Sequence, residues 1–242
     1  IKQCLVGSEM CIRDSPDTCL EKATKKNMNP KMLASFEDGS KTMIEMTALA
    51  NAINLPPDKI GMNGPVSSVA DLNKVLIPEV DGGVLSQSGR VDYAFGPAPG
   101  VFSIVKSDNP TVIEEMEYLS MGEGPYYTLY RPYHLASIEA PRSIGMAIIN
   151  NEPGLQPKSW IAEVIGHAKK DLKKGEKIDG IGGFTTYGVT YPVANTDSLI
   201  PLGLLEGSTV VKEIKKGDPI TKDSVDLPEN LINSLRKLQE SS

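Results

Sequence analysis

The chain has 242 residues, 40% hydrophobic and 23% charged, with a formal net charge of −6. An acidic chain with no basic run lacks the electrostatic footprint of a nucleic-acid binder, and no apolar run approaches the roughly 18 residues of a membrane helix. Of the three cysteines, Cys4 and Cys11 fall in or beside an anomalous first segment, which leaves Cys19 alone; one cysteine makes no internal disulfide, and a cytoplasmic protein is expected.

That first segment, Leu5 to Ser15 (LVGSEMCIRDS), has neither strand alternation nor helical period. It also lacks the apolar core of a signal peptide. Back-translated, Gly7 to Asp14 resembles a transposon-derived sequencing adapter. Residues 1–15 are therefore expected to be non-native, with the biological chain starting near Pro16, partway through a longer protein. The alternative is a genuine disordered tail. Because Lys2 and Arg13 offset Glu9 and Asp14, the net charge does not depend on the choice.

Residues 16–54 read as helical. Glu21 to Lys26 forms a charged helix that Asn27 to Pro30 breaks, since the ring of Pro30 disfavours helical geometry at Asn29. Phe36 to Gly39 makes a turn. A helix then spans Thr42 to Ile53, with Met43, Met46, Ala50 and Ile53 at helical spacing and Pro56 and Pro57 as its stop. Gly89 to Phe95 (GRVDYAF) and Gly100 to Ser107 (GVFSIVKS) are predicted to be two strands of one sheet, joined through Gly96 to Pro99. Thr111 to Leu119 reads as a helix. Tyr126 to Leu135 reads as a strand with a polar corner at Arg131 and Pro132, and Ser137 to Asn151 as a further helix. The Pro/Gly-containing stretch 152–159 is the predicted domain boundary.

The last third contains an internal repeat. Ala168 to Asp179 (AKKDLKKGEKID) and Val210 to Thr221 (VVKEIKKGDPIT) match in register 42 residues apart. Each Lys-Lys-Gly predicts a strand ending in a glycine turn and re-entering a strand, with Ile178 or Ile220 pointing inward. Two copies make a small pseudo-symmetric β unit. It resembles the SAF domain, named for sialic acid synthases and antifreeze proteins, over Ile161 to Leu227, which implies a β-clip fold.

Four constellations could carry chemistry. Asp38, Lys41, Thr42 and Glu45 surround the start of the long helix, where free amides and partial positive charge favour anions or a polarised carbonyl; Thr42 and Glu45 equally fit a capping box. Gly61 with Asn63, Gly64 and Pro65 offers close backbone approach or merely a turn. Tyr130, Arg131 and His134 combine a bidentate anion grip with a group that titrates near neutrality, although a lone histidine is more often structural. Gly182 to Gly188 (GGFTTYG) reads first as tight turns, and His167 as structural. No zinc ligand set, nucleophile elbow, P-loop or Gly-x-Gly-x-x-Gly fingerprint occurs.

Asn29 to Pro65 (NPKMLASFEDGSKTMIEMTALANAINLPPDKIGMNGP) resembles a family of NAD(P)-dependent oxidoreductases. These have a homoserine-dehydrogenase-like N-terminal Rossmann domain, a catalytic domain and a C-terminal SAF domain, and include proteins similar to 1-deoxy-D-xylulose-5-phosphate reductoisomerase. The resemblance continues through DGGVLSQSGRVDYAFGPAPGVFSIV and YLSMGEGPYYTLYRPYHLASIEAP. It implies an α+β chain with a mixed α/β catalytic domain over residues 16–158 and a β-rich SAF domain with a C-terminal helix over 159–242. NADP(H) or NAD(H) would be held by a missing N-terminal domain, which leaves the chain as given inactive; a divalent metal is not marked. Lys41, Glu45 and His134 become catalytic candidates, and Asn51, Asn63, Tyr130 and Arg131 substrate-binding ones. The expected partners are a small substrate, with a phosphorylated one among the candidates, and a second copy of the chain. The competing readings are a SAF-type binding or assembly factor without activity, and a homoserine-dehydrogenase-like enzyme acting on another small substrate.

Overall fold

The computed structural model describes residues 14–97, 100–132 and 136–241. Helix α1 (Leu20–Lys25) leads to α2 (Pro30–Glu37), whose start is written in an Asn-Pro pair. The Asn29 carboxamide accepts the amides of Lys31 (2.9 Å) and Met32 (3.2 Å), and Pro30 takes the first helical position, where its missing N–H costs nothing. Helix α3 (Ser40–Ile53) begins two residues before the predicted Thr42, because the Asp38 carboxylate accepts the Ser40 amide at 2.8 Å. The side chain that satisfies the first helical amide is thus that of Asp38, and Thr42 lies inside the helix. After α4 (Leu72–Val75) come β1 (Val101–Lys106), α5 (Pro110–Tyr118), β2 (Tyr126–Arg131) and α6 (Ala136–Gly145). Asn109 caps α5 as Asn29 caps α2, accepting the Thr111 amide at 3.0 Å. Next follow β3 (Ala162–Ala168), β4 (Thr186–Pro192), the two-residue strands β5 (Thr209–Val210) and β6 (Val225–Asp226), and α7 (Leu231–Ser241). Among the described residues the three sheets are antiparallel pairs, β1 with β2, β3 with β4 and β5 with β6, and the fold class is α+β.

The described residues form two compact units, 48–159 and 14–47 with 160–241. In the first, β1 and β2 pair from Val101 opposite Arg131 to Lys106 opposite Tyr126. Leu72, Leu76, Leu85 and Ala94 are buried beside this pair, with Phe102 and Ile104 packed on them. The predicted strand 89–95 does not join this sheet; it makes only isolated parallel bridges, Val91 to Pro57 and Phe95 to Val66. The reason is Asp92, whose buried carboxylate accepts the amides of Asn63, Gly64 and Tyr93 and pins the segment to a loop.

In the second unit the two repeats pair with each other about a pseudo-dyad. Leu172 and Ile214 exchange backbone hydrogen bonds of 2.8 and 3.0 Å. Gly175 N donates to Val210 O (2.7 Å), and Gly217 N to Ala168 O (2.8 Å). Ile178 N donates to Ser208 O (3.0 Å), and Ile220 N to Gly166 O (2.8 Å). Each of these bonds has its counterpart 42 residues on. The side chains obey the same symmetry, since Ala168, Leu172 and Ile178 share one buried core with Val210, Ile214 and Ile220. Both predicted inward isoleucines are therefore inward.

Residues 14–47 fall in this unit rather than with the remainder of the predicted catalytic domain, and the glycines of Gly182 to Gly188 explain why. A Cβ on Gly182 would stand 2.1 Å from the Lys31 carbonyl of α2, and Gly188 N donates to the Ser40 hydroxyl of α3 at 2.9 Å. These glycines are seats for helices as much as turns. A buried ion pair fastens the same junction: Lys169 Nζ lies 2.7 Å from Asp38 Oδ2 and donates to the carbonyls of Gly183 (2.8 Å) and Asp14 (2.7 Å). The ammonium thus has three acceptors, the condition under which a buried charge is tolerated. At the other end, Arg236 of α7 pairs with Glu163 of β3 at 2.8 Å and stacks on Trp160.

Candidate functional site

Within the 48–159 unit, the segment 70–81 and the loop Ser120 to Pro125 enclose a cleft of about 850 Å³. Ser120, Gly122 and Gly124 all have positive φ. At Gly122 a Cβ would meet nothing, so only the backbone conformation calls for glycine. At Gly124 a Cβ would lie 2.3 Å from the Tyr127 hydroxyl, so the position also requires the close approach. Tyr126, at the start of β2, turns its phenol toward the cleft and donates to Asp81 Oδ2 at 2.5 Å. Lys106, its cross-strand partner, sits 5.1 Å from the Tyr126 ring centroid and 3.7 Å from Asp81 Oδ2. Asn73 anchors the wall by donating to the Tyr126 carbonyl at 2.8 Å, which leaves its own buried side-chain oxygen without a partner among the described residues.

The charges here support one another. The hydrogen bond to Asp81, aided by burial, holds the Tyr126 phenol above its ordinary pKa, against the pull of Lys106. The hydrogen bond to Tyr126, with the charge of Asp81, raises that of the Lys106 ammonium. The Tyr126 phenol thus donates to a carboxylate while an ammonium lies over its ring, a compact polar cluster at the cleft wall. None of these three was a sequence candidate. The signal was present but split: Lys106 lies next to the end of one predicted strand and Tyr126 begins another, and only the register places them opposite.

The sequence candidates are distributed differently. Lys41 and Glu45, one turn apart on α3 and half-buried, lie in the 14–47 and 160–241 unit. Asn51, Asn63, Tyr130 and Arg131 lie in the other. The Asn51 carbonyl accepts the amides of Lys158 (2.8 Å) and Ser159 (3.1 Å), securing the interdomain linker. Asn63 directs its side-chain amide to Asp92 (2.9 Å) and Asp58 (3.2 Å), in a network that also takes Ser86 and Arg90. Burial would raise the Asp58 pKa, but the bonds from Ser86, Asn63 and Arg90 outweigh it and lower the value. Tyr130 packs over Gly100, and exposed Arg131 pairs with Glu139. His134 lies outside the described residues. His167 is buried, with Nδ1 2.8 Å from the Gly217 carbonyl and Nε2 3.0 Å from the Tyr191 hydroxyl.

A family model for the catalytic domain of oxidoreductase DRL matches residues 7–140, more than half of the chain and the whole of the cleft. The chain belongs to the oxidoreductase DRL family. A SAF domain model matches residues 154–226, which hold both repeats. The family match starts inside the segment that resembles adapter. Comparison with curated proteins gives no match.

For the family's oxidoreductase chemistry, a nicotinamide dinucleotide would need a strand, a glycine-rich turn and a helix N-terminus for its pyrophosphate. The described residues, whose strands all pair antiparallel, do not fit that group, and no step below passes through it. Among the described residues no three His, Cys, Asp or Glu side chains converge on a metal position, and no helix is long and apolar enough to cross a membrane.

Proposed function

We propose that this chain is the catalytic and C-terminal part of an NAD(P)H-dependent oxidoreductase acting on a small carbonyl or hydroxyl substrate, with 1-deoxy-D-xylulose 5-phosphate as the specific candidate. The observation that carries the reading is the catalytic-domain match over residues 7–140, with a polar cleft inside it. The coenzyme is held by a mononucleotide-binding domain encoded upstream, residues 1–15 are adapter-derived, and the enzyme works in the cytoplasm as a homo-oligomer. Lys41, Glu45, Asn51, Asn63, Tyr130, Arg131 and His134 remain the positions carried over from the family resemblance.

The test joins the chain to its upstream coding sequence, read from the adapter-trimmed nucleotide data, and follows consumption of reduced nicotinamide. Turnover with deoxyxylulose phosphate supports the reductoisomerase reading. Turnover only with a homoserine-like amino alcohol or its aldehyde moves the substrate to that class. Turnover with neither removes the enzymatic reading in favour of a SAF-type binding protein.

A further inference from the structure

We propose that the SAF domain carries an anion site of its own, for a small molecule that joins a phosphate or similar dianion to an apolar ring. The inference goes beyond the oxidoreductase reading and does not depend on it. A basin of about 690 Å³ opens where the start of the first repeat meets the turn of the second, lined by Lys169, Lys170, Asp171, Phe184 and Lys216. All five belong to the unit that holds both repeats. The buried Lys169 ammonium is offset by Asp38 at 2.7 Å, and the half-exposed Lys170 pairs with Glu176 at 2.5 Å. Asp171 accepts the Lys216 amide at 2.8 Å and lies 3.8 Å from the Lys215 ammonium. The surplus charge is the exposed ammonium of Lys216, which has no carboxylate partner among the described residues. An anion seated between Lys216 and Lys170 gains charge-assisted hydrogen bonds on both sides.

Phe184 supplies the other half of the recognition. It belongs to the stretch Gly182 to Gly188, yet it neither turns the chain nor seats a helix, and its ring is 42% exposed on the same basin. An aromatic ring left open beside an unpaired ammonium matches a ligand with an apolar face next to its anion. The pseudo-dyad shows that the combination is particular to one half of the domain. Lys169 N donates to Thr185 O at 2.8 Å, and its counterpart Val211 N donates to Ser224 O at 2.9 Å. The residue before that carbonyl is Phe184 in the first half and Asp223 in the second. Asp223 takes the ammonium of Lys212, the counterpart of Lys170, at 2.5 Å. The second half thus neutralises its lysine with an acid where the first half presents a ring.

The test titrates the isotope-labelled chain with phenyl phosphate, inorganic phosphate and phenol, and follows the backbone amide resonances. Phenyl phosphate should saturate in the millimolar range, with the largest shifts at Lys170, Phe184 and Lys216. Inorganic phosphate should shift the two lysine amides more weakly, and phenol should not saturate. Lys216→Ala should weaken phenyl phosphate by about tenfold, the scale of one hydrogen bond to a charged group. Lys174→Ala, the same change in the turn of the other repeat, should stay within about twofold, as befits a distant exposed charge. Phe184→Ala should bring phenyl phosphate down to the affinity of inorganic phosphate. All three positions are exposed, and well-dispersed spectra show that the variants fold. Equal losses at Lys174 and Lys216 would reduce the basin to general surface charge, and the absence of any saturable shift at Lys170 and Lys216 would remove the site. Either result leaves the oxidoreductase reading untouched.

Discussion

Lys169 shows how much one residue holds. Its ammonium and the Asp38 carboxylate are almost fully enclosed, at 3% and 0% side-chain exposure. Lys169→Met leaves Asp38 as a buried charge with only the Ser40 amide, and should cost about 3–5 kcal/mol. Adding Asp38→Leu should recover part of that loss in chemical denaturation; a double variant no more stable than Lys169→Met would mean that packing, not charge, was lost. His167 makes a pH-dependent prediction. Burial lowers its pKa below the ordinary value near 6.5, against the opposing pull of the Gly217 carbonyl and Asp218. A depressed folded pKa means that the unfolded chain binds the proton first, so the stabilisation is complete above about pH 6.5 and is lost as pH falls toward the lower folded value. Thermal melts should show that fall in the wild type and not in His167→Gln; parallel curves would remove His167 as its source. Asp38 was legible as part of the helix start, but its partner, 131 positions away in the printed sequence, was not.

At the scale of elements, legibility followed local chemistry. The Asn29-Pro30 pair was read only as the break after the first helix and the Asn109-Pro110 pair not at all, yet each states a helix start in local terms, because cap and first-turn residue act on their own neighbours. The Lys-Lys-Gly repeats were readable for the same reason: Gly175 and Gly217 both adopt left-handed conformations, with φ of 87° and 88°, and a Cβ at either would meet nothing. Their requirement for glycine is therefore conformational alone. Gly175→Ala and Gly217→Ala should each cost about 1–2 kcal/mol, equal within error in urea unfolding. Unequal costs would contradict the pseudo-dyad at the turns. The segment 89–95 misled because its alternation imitates a strand, whereas Asp92 draws backbone amides to a side chain. Pattern alone does not reveal that competition.

For the whole molecule, the repeat, the α+β class and the family resemblance were all visible in the residues. The grouping of 14–47 with 160–241 was not, since it depends on Gly182 and Gly188 receiving helices from more than 140 residues away. The cluster of Asp81, Lys106 and Tyr126 was hidden for a related reason: the lysine and the tyrosine come together only once β1 and β2 pair. The cleft lies inside the matched catalytic domain, and the function proposed above places the coenzyme on a domain encoded upstream. Fluorescence titration with NADPH tests this division most directly. The chain alone should give no micromolar binding, whereas the chain joined to its upstream coding sequence should saturate in the micromolar range. Micromolar binding by the chain alone would contradict it.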